Sequence, residues 1–248
     1  MSVWLCVPST RAPHETTFPK WIDQGYKVAV FRDIGAPLIP EASFVIVDKY
    51  PGYAVASNRL IQEVFARDPE CDWVVGGGDD VEPDRTQTGP EIGRECSDWR
   101  ADTFGVMQAT GDRWGEEDPW AKIQYPNAPA YVDRICGSPW LGREFCRRVN
   151  QGRGPFWPQY YHMFVDEELQ NVAQRLGVLW QRRDLTHKHN HWARQGARYL
   201  QTRVGIVSAA GVVPAHLKEA VSKQHWDESK ALFEQRKAVE FPGSEPIE

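Results

Sequence analysis

Four short apolar runs, each ending in a turn, constrain the fold of this chain most. Val3 to Val7 stops at Pro8-Ser9-Thr10, and Lys27 to Phe31 stops at Arg32-Asp33. Phe44 to Val47 stops at Asp48-Lys49-Tyr50-Pro51-Gly52, and Trp73 to Val75 runs into Gly76-Gly77-Gly78-Asp79-Asp80. Helix signals lie between them. Thr17 to Gln24 precedes Gly25, and Tyr53 to Ala66 places Ile61, Val64 and Phe65 on one face. Strands separated by helices imply an α/β fold with a mostly parallel central sheet flanked by helices.

The second half changes character. Asp84 to Arg100 reads as a polar connection with a short helix, Phe104 to Ala109 as a strand, and Gly111 to Pro129 as a long loop. Val132 to Cys136 reads as a strand followed by a Gly137-Ser138-Pro139-Trp140 loop. Asp166 to Leu176 is the clearest helix, since Leu169, Val172, Ala173 and Leu176 share a stripe and Gly177 follows. Pro214 to about Phe241 reads as helical. The expected organisation is one domain over 1–205, with halves 1–100 and 101–205, and a C-terminal helical extension over 206–248.

Hydrophobic residues make up 41% of the 248, enough for a core and too many for a disordered chain. No apolar run approaches the roughly 20 residues of a membrane helix. The N-terminal stretch has no basic region and reads as a strand rather than a signal peptide. Five cysteines without a CxxC pair fit reduced, buried thiols, and a cytoplasmic location is expected. The net charge of −5 is uneven. From Arg143 to Arg203 there are eleven basic and five acidic residues, interleaved with aromatics. That stretch suits a polyanionic partner such as nucleic acid, and equally a solvated face over an aromatic core.

Three groups could carry chemistry. Asp79 and Asp80 end a strand after three glycines, where open α/β sheets bind ligands. They offer hard oxygen donors for Mg²⁺ or Mn²⁺ holding a phosphate, or form an acidic turn. Asp166, Glu167 and Glu168 open a helix. Asp166 is either a cap favoured by the helix dipole or a rigidly placed general base. His187, His189 and His191 alternate, which puts them on one side of an extended segment as metal donors or leaves them as surface residues. There is no HExxH, Walker A or GxGxxG motif.

In this order the motifs resemble a GT-A (Rossmann-like) glycosyltransferase of the family-two type, over roughly residues 1 to 195. The resemblance implies a nucleotide-sugar site at Pro8, Ser9, Thr10, Asp33, Tyr53, Asn58, Gly77, Gly78, Asp79 and Asp80. Gly77-Gly78-Asp79-Asp80-Val81-Glu82-Pro83 is similar to the Asp-x-Asp-Asp-x-x-Pro pattern, with Gly77 where the first Asp usually stands. It implies a divalent metal, Mn²⁺ or Mg²⁺, held by Asp79, Asp80, His187 and His189. Val165-Asp166-Glu167-Glu168-Leu169 resembles the motif whose Asp is the base, so Asp166, with Glu167 beside it, is the expected catalytic pair. Ser138 and Trp140 are the expected acceptor contacts.

The implied reaction is an inverting transfer from a nucleotide-diphosphate sugar, UDP-linked by expectation, to an acceptor hydroxyl. The basic, aromatic stretch 143–203 would border the acceptor. An anionic acceptor such as DNA with hydroxymethylated pyrimidines is one expectation, as in viral DNA-modifying glycosyltransferases, in which case the location is host-cell cytoplasm. A glycan, lipid-linked sugar or protein is the other. A nucleotidyltransferase and a non-catalytic nucleotide-sugar-binding module are the rival classes.

Overall fold

The computed structural model describes residues 1–112, 135–190, 200–202, 205–207, 218–220 and 222–248. Strand β1 (Ser2–Pro8) leads through a short turn to helix α1 (Phe18–Asp23) and strand β2 (Lys27–Arg32). Strand β3 (Phe44–Val47), helix α2 (Tyr53–Arg67) and strand β4 (Cys71–Val75) follow. A two-residue strand β5 (Val81–Glu82) then precedes helix α3 (Gly89–Trp99). Strands β6 (Val106–Ala109) and β7 (Pro139–Gly142) lead to helix α4 (Arg143–Arg148) and helix α5 (Val165–Arg175). Strands β8 (Leu179–Arg182), β9 (Lys188–His189), β10 (Leu200–Thr202) and β11 (Gly205–Val207) precede the C-terminal helix α6 (Lys223–Ala238).

The main sheet has seven strands in the order β3-β2-β1-β4-β7-β6-β8. Strands β1 to β4 pair in parallel, β7 is antiparallel to both β4 and β6, and β8 is parallel to β6. Only β7 therefore runs against the rest, and the sheet is mostly parallel as expected. From β1 the chain winds outward through β2 and β3, then returns through α2 to β4 on β1's other side. That reversal opens a crevice beyond the carboxyl ends of β1 and β4, the place where such sheets bind ligands.

Both sheet faces are covered. One buries Leu60, Ile61, Phe145, Leu169 and Phe233 under α2, α4, α5 and α6. The other buries Trp21, Tyr26, Trp73, Ile92 and Trp140 under α1 and α3. Double coverage explains why the strands read as continuous apolar runs rather than alternating ones. The C-terminal helix contributes Phe233 to the first core, so it packs with the rest of the chain.

One expectation is corrected. Pro139-Trp140, read as part of a loop, opens strand β7. Proline is tolerated there because it stands first in the strand, where no ladder donor is needed, and its carbonyl accepts from Gly76 N at 2.9 Å. The short helix expected in the connection after Asp84 is the eleven-residue α3, whose start is fixed by Glu91 accepting from the Thr88 backbone N–H at 2.7 Å. His191, the loop residues 113–129, residues 132–134 of the expected strand, and the basic residues of 191–199 lie outside the described residues. No helix among the described residues is long and apolar enough to cross a membrane.

Candidate functional site

The crevice gathers the turn after β1 and the turn after β4. Ser9 Oγ donates to Asp79 Oδ2 at 2.5 Å. Arg11 Nε lies 3.1 Å from Asp79 Oδ1, and its Nη2 lies 3.3 Å from Asp80 Oδ2. Thr17 N and Oγ1 donate to the Asp79 carbonyl at 3.0 and 3.2 Å. The turn is thus fixed by backbone as well as side chains. Behind it Arg32, fully buried at the end of β2, donates to the carbonyls of Ser9 at 2.8 Å and Arg11 at 3.0 Å, and to Pro37 O. Burial lowers the Arg32 pKa, with Asp79 opposing.

The glycines have distinct roles here. Gly77 has φ +139°, a conformation side chains rarely adopt, and an added Cβ would meet Gly137 O at 3.2 Å. That backbone requirement accounts for glycine at this position. At Gly78 a Cβ would come 2.6 Å from Asp80 Oδ1, so the Asp80 carboxylate can fold back only over a glycine.

A small second sheet brings the histidine segment to the acids. Strand β5 pairs with β9, Val81 opposite His189. His189 Nε2 then lies 3.2 Å from Asp80 Oδ1, and Asn190 N donates to the Asp80 carbonyl at 2.9 Å. The return is pinned by Asp84, whose Oδ2 accepts from Thr186 N at 2.7 Å, and by Asp112, whose Oδ2 accepts from His189 N at 3.0 Å. Glu82 is buried, which raises its pKa. Hydrogen bonds from Lys20, Asn190 and Arg85 outweigh that and bring it to about 2.

His187 does not join this group. It is buried, with Nδ1 2.8 Å from Ser138 Oγ and its ring edge-on to Trp21. Burial pushes it down to about 4, opposed by Asp84 and Ser138, so it is neutral near pH 7. The alternation of histidines fails as a guide because β9 begins only at Lys188. Ser138 is nonetheless at the crevice, its Oγ 3.3 Å from Gly76 O. Trp140 is fully buried against Tyr26 and offers no surface to an acceptor.

Across the crevice stands Asp166. The residue preceding helix α5 is Phe164, with φ +67°, so Asp166 sits within the first turn and does not cap the helix. Its Oδ1 accepts from Glu167 N at 3.0 Å. Burial raises its pKa, while its own backbone, Glu167 N and the nearby His189 oppose the rise. Part of its surface still meets solvent. His189 touches Asp80 and also sits in the electrostatic field of Asp166, which joins the two halves of the expected site. Glu167 is half-buried beside Asp166, its carbonyl accepting from Asn171.

The wall between them is Tyr53, whose hydroxyl donates to Gly77 O at 3.3 Å. Burial, and then the charge of Asp166, raise its pKa. The other expected donor-side residues divide. Pro8 ends β1, and the half-buried Thr10 follows Ser9 in the turn. Asp33 lies beyond β2 at the same sheet edge, its Oδ1 accepting from Ile34 N and Tyr50 N at 2.9 and 3.0 Å. Asn58 is buried, its amide bonded both ways to the Phe156 backbone at 2.6 and 3.1 Å, and serves that packing.

Sequence reasoning missed several residues. Arg11 reaches the acids, and Arg32 the Ser9–Arg11 turn beside them, only through the fold. His162 packs edge-on to Tyr53, its buried Nδ1 has no hydrogen-bond partner, and burial lowers its pKa to about 4. Tyr161 stacks on His225 of α6 at 4.1 Å and packs on Tyr50. Many arginines of the basic stretch are already engaged within the protein. Arg143 donates to the carbonyls of Phe65, Asp68 and Cys71, Arg148 to Ile247 O, and Arg182 pairs with Glu95 and Asp184.

Among the described residues no three His, Cys, Asp or Glu side chains come together as a metal cage. Asp80 and His189 do supply one carboxylate oxygen and one imidazole nitrogen side by side. That pair fits an ion such as Mn²⁺ or Mg²⁺, which commonly takes one or two protein donors and completes its shell with substrate phosphates and water.

The fold is an open, mostly parallel α/β sheet covered by helices on both faces. No family profile and no curated protein sequence matches the chain. Among solved structures, the chain is similar to a glycosyltransferase involved in the glycosylation of the major capsid of PBCV-1, with a TM-score of 0.33 and 11% identity. The match covers 58% of this chain and 61% of that one.

Proposed function

We propose that the protein is a nucleotide-sugar-dependent glycosyltransferase acting by inverting displacement. The observation that carries the reading is that His189, 3.2 Å from Asp80, and Tyr53, bonded to the Gly77 carbonyl, both also interact with the charge of Asp166. The Asp79–Asp80 turn lies at the sheet's switch point, and Asp166, whose pKa is raised by burial, is electrostatically coupled to it through His189 and Tyr53.

In this reading the nucleoside diphosphate lies along the β1 and β4 turns, against Ser9, Gly77 and Gly78, with the nucleobase toward Asp33. Asp166 takes the proton of the acceptor hydroxyl as that oxygen forms its bond to the anomeric carbon. The bond from the anomeric carbon to the phosphate oxygen breaks, and its electron pair leaves with the nucleoside diphosphate. A carboxylate whose pKa is raised by burial is a stronger base at neutral pH than an exposed one. Asp80 and His189 would hold a divalent ion, which would supply positive charge for the leaving diphosphate. The acceptor enters from the side of Asp166, bordered by His162 and Tyr161, and DNA and glycan acceptors separate by salt dependence, steep for DNA.

The test is to offer UDP-, GDP- and dTDP-linked sugars with Mn²⁺ and to measure release of nucleoside diphosphate. Release from one donor class is expected. No release and no donor binding from any of them would overturn the reading.

A further inference from the structure

Arg11 is the residue in the crevice that the function above leaves unexplained. Its backbone is fastened at both ends. Arg11 N donates to Ser9 Oγ at 3.3 Å, and Arg11 O accepts from Arg32 Nη1 at 3.0 Å. Only its side chain is left to move, and that side chain reaches over both acids, 16% exposed. The fit is incomplete. Its Nε lies 3.1 Å from Asp79 Oδ1 yet is buried without a properly aligned hydrogen bond. A buried, misaligned donor is a costly arrangement unless another acceptor uses it. The guanidinium also sits on Asp80 Oδ2 while His189 sits on Oδ1, so one carboxylate is shared between an internal cation and the candidate metal pair.

We propose that Arg11 is the internal counter-cation of the donor site. With no donor bound it neutralises Asp79 and Asp80 and opposes a divalent ion at Asp80. When a nucleoside diphosphate lies in the crevice, the guanidinium turns to a phosphate oxygen, for which its planar fork is suited. The acids are then released to the ion, so that nucleotide and metal bind in concert. This rests on the donor-site reading given above. A site open only part of the time binds its ligand more weakly by that fraction.

The experiment compares wild type with Arg11→Gln, using Mn²⁺ alone followed by electron paramagnetic resonance, then nucleoside diphosphate in saturating Mn²⁺ by calorimetry. Arg11→Gln should tighten Mn²⁺ alone by about ten-fold, because a competing cation present most of the time is gone. It should weaken the nucleoside diphosphate by about ten-fold, because a charge-assisted phosphate contact is lost. Mn²⁺ affinity unchanged or weakened in Arg11→Gln overturns the proposal, as does an unchanged diphosphate affinity. Arg11→Lys, which keeps the charge but not the fork, should leave Mn²⁺ binding near wild type and still weaken the diphosphate. It decides the matter if Arg11→Gln does not fold. If wild type binds no nucleoside diphosphate at all, the donor reading falls, while the Mn²⁺ titration still decides whether Arg11 screens the acids.

Discussion

Replacing Arg236 with alanine should destabilise the protein severely and disturb Asp166 at a distance. Arg236 on α6 and Glu168 on α5 form a bidentate pair, with Nη2 to Oε1 at 2.7 Å and Nε to Oε2 at 2.9 Å. Their side chains are only 7% and 3% exposed. Tyr160 donates to the same carboxylate at 2.7 Å, and the guanidinium lies 3.6 Å from the centre of the Trp157 ring. Arg236→Ala leaves the Glu168 carboxylate buried with Tyr160 as its remaining hydrogen-bond donor among the contacts described. Breaking a buried pair in this way costs about 3–5 kcal/mol. At about 2–4 °C per kcal/mol for a chain of this size, thermal unfolding should fall by roughly 6–20 °C. Replacing both partners with apolar residues, as in Glu168→Leu with Arg236→Met, should recover most of that loss. Glu168 shares the first turn of α5 with Asp166, so the single variant should also lower kcat more than it raises KM. Calorimetry and steady-state kinetics read both effects. A loss below about 1 kcal/mol, the range of exposed pairs, would refute the reasoning.

Two further outcomes follow from titration. His187 and His162 are both held near 4 by burial, below the ordinary value of about 6.5. The unfolded chain therefore binds more protons, and stability is full above pH 6.5 and falls as pH drops toward 4, by roughly 3 kcal/mol for each group. His187→Gln should remove about half of that slope in urea titrations at stepped pH, and an unchanged slope would count against it. Asp166 is shifted the other way, so its charge is disfavoured in the fold. Asp166→Asn should stabilise the protein at neutral pH, and the gain should vanish below the ordinary aspartate range near 3.9, where Asp166 is protonated folded or unfolded. Equal melting temperatures at pH 7 would contradict the burial argument.

The strands that position the site were legible because a sheet covered on both faces makes its strands apolar throughout. Val3 to Val7, Val28 to Phe31 and Trp73 to Val75 stand out for that reason, whereas Phe44 to Val47 is the sheet's edge and leaves Val47 exposed. Strand β7 was hidden because only Trp140 and Leu141 carry the apolar signal between Pro139 and Gly142, both of which mark turns elsewhere. Trp21, Trp73 and Trp140 are all fully buried and belong to the core. Within the site, Asp79, Asp80 and Asp166 were visible because acids beside glycines or at a helix start carry a local signature. Arg11 carries none. It meets Asp80 across 69 positions of sequence, and nothing in the residues around it foretells that contact. The histidines show the same limit, since their alternation held for His189 only where the two-residue ladder with β5 formed.

The central claim is that Asp166 accepts the acceptor's proton opposite a donor bound at the Asp79–Asp80 turn. The most direct measurement compares wild type with Asp166→Asn for donor affinity and for nucleoside diphosphate release with acceptor. The account predicts donor affinity within about two-fold of wild type and release lowered by about 10² or more, the scale of general-base catalysis. In wild type, release should rise with pH through a group titrating above the ordinary aspartate range. Release from Asp166→Asn at the wild-type rate, with donor still bound, would contradict it.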